Sequence, residues 1–466
     1  MRPHSEKKWI LPCEWASQPT IAPMTNHAPA LSDSLVAAAH VLADVENGRS
    51  MTEAITHIPS ELRPSTQALA FYAMRHWGLA KGLTGLLVQR APPNAVVSAL
   101  LGLSLVLLEA ALQAAKGASM PGTPLYAVHT LVDQSVAATQ TQRDLMSYQG
   151  MVNAVLRRFQ RERDQLLAKL STNLEARYNH PSWWVHRLRR AYPDQWQSIL
   201  DVANTPPPLT LRVNRRRATV ASAVDALTKQ GLTCTLLDDF GLIVDQPRAI
   251  TSLAGYQEGW WSVQDAGAQL AARLLDVKDG MRVLDACAAP GGKAAHLLEL
   301  AAIELTAIDV DGARLERVQH NLKRLGLSTP ALHLKAADAS KTNTWWDKKP
   351  FDAILADVPC TASGIVRRHP DIRWLRQEKD IDRMAKLQRE ILNQLWQTLA
   401  PGGKLLLVTC SVFPQEGELL AAEFATQHED AVRLPAPGQL LPVIRTVDNI
   451  QTDHDGFFYA LFSRNA

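Results

Sequence analysis

The stretch MRVLDACAAPGGKAAHLLEL, residues 281–300, decides the fold. Val283 and Leu284 run as a strand into Asp285, small residues lead to a turn at Pro290, Gly291 and Gly292, and Lys293 to Leu300 resume at helical spacing. A strand, a glycine turn and a helix in that order mark the carboxyl edge of a doubly wound sheet, where such folds bind ligands. The glycines let a ligand approach the backbone closely. A triphosphate loop would need glycine where Cys287 stands and Ser or Thr where Ala294 stands. The G-x-G-x-x-G dinucleotide pattern is also missing.

Further on, LTAIDVD closes a second strand on Asp309, about 20 residues beyond the glycines, where an acidic side chain meets ribose hydroxyls. The ligand should therefore carry a ribose and need no pyrophosphate cradle. S-adenosylmethionine meets both conditions, since its cationic sulfonium tolerates carboxylates. Its predicted pocket comprises Cys287, Ala288, Ala289, Pro290, Gly291, Gly292, Lys293, Asp309 and Asp357, with Asp338 of LKAADAS beside the adenine. Each aspartate also reads as a helix cap or turn residue, Asp338 especially.

From residue 266 to 466 strand-like and helix-like segments alternate, which predicts a Rossmann-like, mostly parallel doubly wound α/β sheet. Two cysteines close strands there: Cys360 after ILADVP and Cys410 after KLLLVT. Their spacing of 50 residues sets them on different strands of one cleft, and either could be a nucleophile. Cys13, Cys234 and Cys287 read as small buried residues.

Residues 31–170 read as an all-α domain with long Ala/Leu-rich segments such as LSDSLVAAAHVLADVENG. In its last helix Arg157, Arg158, Arg161 and Arg163 crowd one face, either solvated or set against RNA. Residues 171–265 read as linker helices and a small α+β module. Its aromatic and arginine mixture, Arg212 included, suits phosphates and unstacked bases. Residues 1–30 are polar and Pro/Ala-rich, as in a disordered tail.

A formal charge of +3 over 466 residues announces no nucleic acid by itself, so any basic footprint must be local. Five scattered cysteines without Cys-x-x-Cys predict reduced thiols in the cytoplasm and no metal centre. The apolar run from Val96 is interrupted by Ser98, Ser104, Glu109 and Gln113, which predicts a buried helix rather than a membrane span. The expected protein is a monomer with no obligate protein partner.

The segments DACAAPGGKAAH, DVPCTASGIVRRHPDIRW and TCSVFPQEGE, preceded by VQDAGAQL, resemble the RNA cytosine-5 methyltransferases of the NOL1/NOP2/Sun family. The helical domain with GMVNAVLRRF resembles the NusB-like extension of the Fmu/Sun branch, also called the RsmB type. The resemblance implies methyl transfer from S-adenosylmethionine to a cytosine of 16S rRNA, cytosine 967 by family expectation. The substrate would be naked RNA or an early assembly intermediate. C5 of cytosine is too weak a carbon nucleophile until a thiolate adds at C6. The resemblance assigns that attack to Cys410 and product release to Cys360. Asp357 would meet the charge developing near N3. It also sets Arg367, Arg368 and His369 against the RNA backbone near a flipped base. Ala294, Val358 and Gly417 depart from the usual Thr, Ala and Asn. The shared motifs leave two other readings: a tRNA cytosine-5 methyltransferase, and a non-catalytic RNA-binding assembly factor.

Overall fold

Near-continuous apolar runs such as VLDA, FDAILAD and KLLLVT suit strands covered on both faces. The computed structural model, which describes residues 29–465 except 91, 119–121, 246–247 and 448–449, uses them so. The expected tail, residues 1–30, lies outside the described residues but for its last two. The chain divides into two compact units, one built from 207–365 and 379–466, the other from residues up to 206 together with 366–378.

The first unit begins with a small four-stranded antiparallel sheet. Its strands are β1 (Leu209–Val213), β2 (Cys234–Leu236), β3 (Gly241–Val244) and β4 (Trp261–Val263), in the order β2-β3-β1-β4. The helix Val220–Lys229 starts on a reciprocal Thr219–Ser222 capping box and buries Ala223 and Leu227. They join Leu209, Leu211, Val213 and Trp261 in one core.

The main sheet follows: β5 (Arg282–Ala286), β6 (Glu304–Asp309), β7 (Leu332–Ala336), β8 (Phe351–Asp357), β9 (Leu399–Thr409), β10 (Ala431–Leu440) and, after the hairpin of β11 (Val443–Val447) and β12 (Ile450–His454), β13 (Phe457–Arg464). The order is β10-β13-β9-β8-β5-β6-β7. The five strands β5 to β9 run parallel, whereas β13 is antiparallel to β9 and β10 to β13. The chain winds outward from β5 through β6 to β7, then returns to β8 on the other side of β5. That reversal opens a crevice at the carboxyl ends of β5 and β8, the switch point of an open α/β sheet. Leu284, Ile354, Leu405, Leu407 and Phe458 form the core beneath it, each full burial worth about 1.5–3 kcal/mol.

The second unit is helical. Ala95–Ala114 is its central helix, capped by the Asn94 side chain on the Val96 and Val97 amides, with Leu100, Leu103, Leu105 and Leu107 fully buried. It is long and apolar enough to cross a membrane, but most of it is packed inside this unit. Glu109, one of its polar interruptions, is answered by Arg163 at 2.5 Å.

The division differs from the sequence reading in two places. The helices Leu174–Tyr178, Ser182–Ala191 and Trp196–Ala203 belong with the helical unit. So do residues 366–378, which lie in sequence between β8 and β9 of the main sheet: the Trp374 indole donates to Met74 O at 3.1 Å, and Asp371 accepts from the Met51 amide at 2.9 Å.

Candidate active site

Parallel pairing places the chemistry. Ala286 of β5 lies opposite Ala356 of β8, and Asp357 opposite Val408 of β9, so Asp285, Asp357 and the residues after Thr409 reach one edge of the sheet. Cys360 follows β8 by three residues and Cys410 follows β9 directly. Their Sγ atoms stand 3.4 Å apart. Cys360 is buried and Cys410 half-buried.

The glycine turn is shaped for close approach. Gly291 has φ +94, and a Cβ there would meet Val318 at 2.8 Å. At Gly292, the first residue of the helix Gly292–Leu300, an added Cβ would meet only Gln264, at 3.7 Å. Asp309 closes β6 almost wholly buried and accepts from the Ala289 and Asp311 amides, both at 3.1 Å. Lys293 lies 2.5 Å from Asp357. Asp338 is exposed by comparison and caps its own turn, accepting from the Ser340 amide and hydroxyl and pairing with Lys341 at 3.2 Å.

No local pattern in the sequence marks Asp285 as a binding residue. It is fully buried, and neither carboxylate oxygen has a protein hydrogen-bond partner. Burial and the neighbouring Asp357 push its pKa well up. Burial, Asp309, Asp357 and Asp285 likewise push up the pKa of the Cys287 thiol. An orphaned buried carboxylate among other carboxylates fits a ligand that is cationic or rich in donors, and disfavours a phosphate.

A raised folded pKa has a defined consequence. Asp285 favours the fold fully only below its unfolded pKa, about 3.9, and that contribution is lost as pH rises through the folded value. Asp285→Asn is therefore expected to raise the melting temperature of the ligand-free protein at pH 7–8. The gain should shrink steadily toward pH 4. Thermal melts across that range check this, and a pH-independent gain would contradict it.

Arg212, expected at RNA, is instead buried completely. Its guanidinium grips Glu299 through Nη2–Oε1 at 2.6 Å and Nε–Oε2 at 3.0 Å, and donates to Gly292 O at 2.8 Å and to Gln264 Oε1. It braces the glycine turn from behind. Arg367, Arg368 and His369 are also at most 9% exposed, so the expectation of a surface RNA contact is corrected for these three as well. They stand in the segment that packs with the helical unit. Arg157 is exposed, while Arg158 is half-buried and paired with Glu162 at 3.0 Å.

A mostly parallel sheet with acidic strand tips and a glycine turn that lacks a phosphate cradle defines a Rossmann-like, S-adenosylmethionine-dependent methyltransferase. The family described as 16S rRNA methyltransferase RsmB/F matches residues 272–463, and its ferredoxin-like domain matches 180–251. The chain belongs to this RsmB/F family. It is 41% identical over 344 residues to the ribosomal RNA small subunit methyltransferase B of Vibrio cholerae serotype O1, covering 72% of this chain and 77% of that protein. The crystal structure of PH0851 superposes with a TM-score of 0.71 at 24% identity, covering 93% of this chain and 99% of that one. A methyltransferase homologue from Pyrococcus horikoshii gives 0.52 at 27% identity, with 62% and 97% covered.

Proposed function

We propose that this chain methylates C5 of a cytosine in 16S rRNA, cytosine 967 by family expectation, through a covalent bond between Cys410 Sγ and C6. The observation that carries the reading is the pair of thiols 3.4 Å apart at the tips of neighbouring strands. S-adenosylmethionine supplies an electrophilic methyl group on its sulfonium.

Asp285, Asp309 and the turn from Cys287 to Lys293 would hold it, with Asp338 at the edge of that pocket. Cys410, the more open of the two thiols, adds as thiolate to C6 and makes C5 enamine-like. Asp357, ion-paired with Lys293, is assigned to N3. The pair carries a proton within one hydrogen bond, so negative charge arriving on the ring is met by a donor. Once C5 carries the methyl group its proton must leave and the C6–S bond must break. Cys360 is assigned to that release: as thiolate it takes the C5 proton while the C6–S electron pair leaves with Cys410, which returns to its starting thiolate. Arg157 and Arg158 are assigned to RNA phosphates, and the expected setting is the cytoplasm.

Bisulfite mapping of RNA from a deletion strain tests the substrate. Loss of one protected cytosine in 16S rRNA, restored by the gene, is the expected outcome. Loss confined to tRNA would replace the substrate. An unchanged map, with no tritium transferred from labelled S-adenosylmethionine to naked 16S RNA, would favour a non-catalytic assembly factor.

A further inference from the structure

Glu416 lies six residues beyond Cys410, in the short turn Pro414–Glu416, and is fully buried. Its Oε1 accepts from the Thr361 amide at 2.7 Å and from Gln388 Nε2 at 3.2 Å. Its Oε2 accepts from the Thr361 hydroxyl at 2.5 Å and the Ser411 hydroxyl at 2.7 Å. All four donors are neutral. Thr361 is the residue after Cys360, and Ser411 the residue after Cys410. The residues before the cysteines are tied in as well: the Thr409 hydroxyl donates to Glu416 O at 3.0 Å, and Gln388 Nε2 donates to Pro359 O at 2.8 Å. One carboxylate and its own carbonyl thus engage residues flanking both thiols.

Charge-assisted hydrogen bonds are shorter and stronger than neutral ones, so a carboxylate suits holding two loops at a fixed separation. Taking a carboxylate out of water is costly, and burial pushes the Glu416 pKa up against the hydrogen bonds from Ser411 and Thr361. The loops are also cross-tied at Ser363, whose Oγ lies 2.8 Å from Ser411 Oγ and accepts from the Val412 amide at 2.9 Å.

We propose that Glu416 is a positioning residue: through Thr361 and Ser411 it sets the separation and aim of the Cys360 and Cys410 thiols, without touching RNA or cofactor. The proposal rests on the cysteine roles assigned above. Neither strand ends in regular structure at its cysteine, so the sheet alone does not hold the Sγ atoms. The shared carboxylate supplies that constraint.

The test uses the full chain. Glu416→Ala should leave the Kd for S-adenosylmethionine within about twofold and KM for RNA within about threefold, while single-turnover methyl transfer falls about 10²-fold, the cost of misplacing a reacting group by roughly 1 Å. Glu416→Gln keeps an acceptor for the Thr361 amide, and the two hydroxyls can turn to accept from its NH₂. It should recover to within about tenfold of the parent. In a Cys360→Ser background the rate of covalent complex formation should follow the same ranking.

A parent-like rate for Glu416→Ala would overturn the proposal. So would a matching loss of cofactor affinity in both variants, which marks a damaged fold. If Cys360→Ser itself traps no RNA, the cysteine assignment fails, and the positioning role is then decided by the single-turnover ranking alone.

Discussion

Cys410→Ser produces no methylated RNA and no covalent complex, whereas Cys360→Ser accumulates an enzyme–RNA adduct that survives a denaturing gel. This is the expected result if the two thiols divide attack and release. Replacing a covalent nucleophile costs on the order of 10⁴–10⁶-fold in rate, and serine does not substitute, because its hydroxyl is far less acidic than a thiol. The Cys360 variant still forms the C6–S bond but cannot complete the elimination. The 3.4 Å between the sulfurs makes the outcome informative, since either thiol can approach the same ring. Trapping by Cys410→Ser instead would reverse the assignment.

The second large effect is on stability. Arg212→Ala is expected to cost about 3–5 kcal/mol, because it strands the Glu299 carboxylate in the interior. For a domain of this size that lowers the melting temperature by roughly 10 °C. Cofactor affinity should fall too, since the same guanidinium holds Gly292 O. An RNA contact would behave differently, with weaker and less salt-sensitive RNA binding and an unchanged melt. The double change Arg212→Met with Glu299→Leu should restore most of the stability, because it removes both charges together. Differential scanning calorimetry of the three proteins separates the two accounts.

Some parts of the molecule are legible in its sequence and others are not. The alternation from residue 266, the turn at Gly291 and Gly292 and the aspartate closing β6 are local patterns, set by strand and turn chemistry within a few residues. The fold class follows from them. Arg212 is different in kind. In LTLRVNRRR it is one arginine of four, and what sets it apart is burial against the carboxylate of Glu299, 87 positions away. Arg367 reads as basic and exposed for the same reason, yet it is buried. Asp285 stands one residue short of the end of its strand, much as Asp309 and Asp357 end theirs, and burial without a partner cannot be seen in a string of residues. Long-range pairing and desolvation are what composition and periodicity leave out.

The excursion of residues 366–378 into the helical unit bears on biosynthesis. A ribosome releases most of that unit early, up to residue 206, but its last piece, with Asp371 and Trp374, emerges only after β8 and Cys360. At 5–20 residues per second the intervening stretch of roughly 170 residues takes about 10 to 30 seconds to make. For that interval the nascent helices wait with the Met51 amide and the Met74 carbonyl still unengaged by their eventual partners. The helical unit therefore completes its packing no sooner than the catalytic sheet has gained its central strands, and a fragment ending at residue 206 would never complete it.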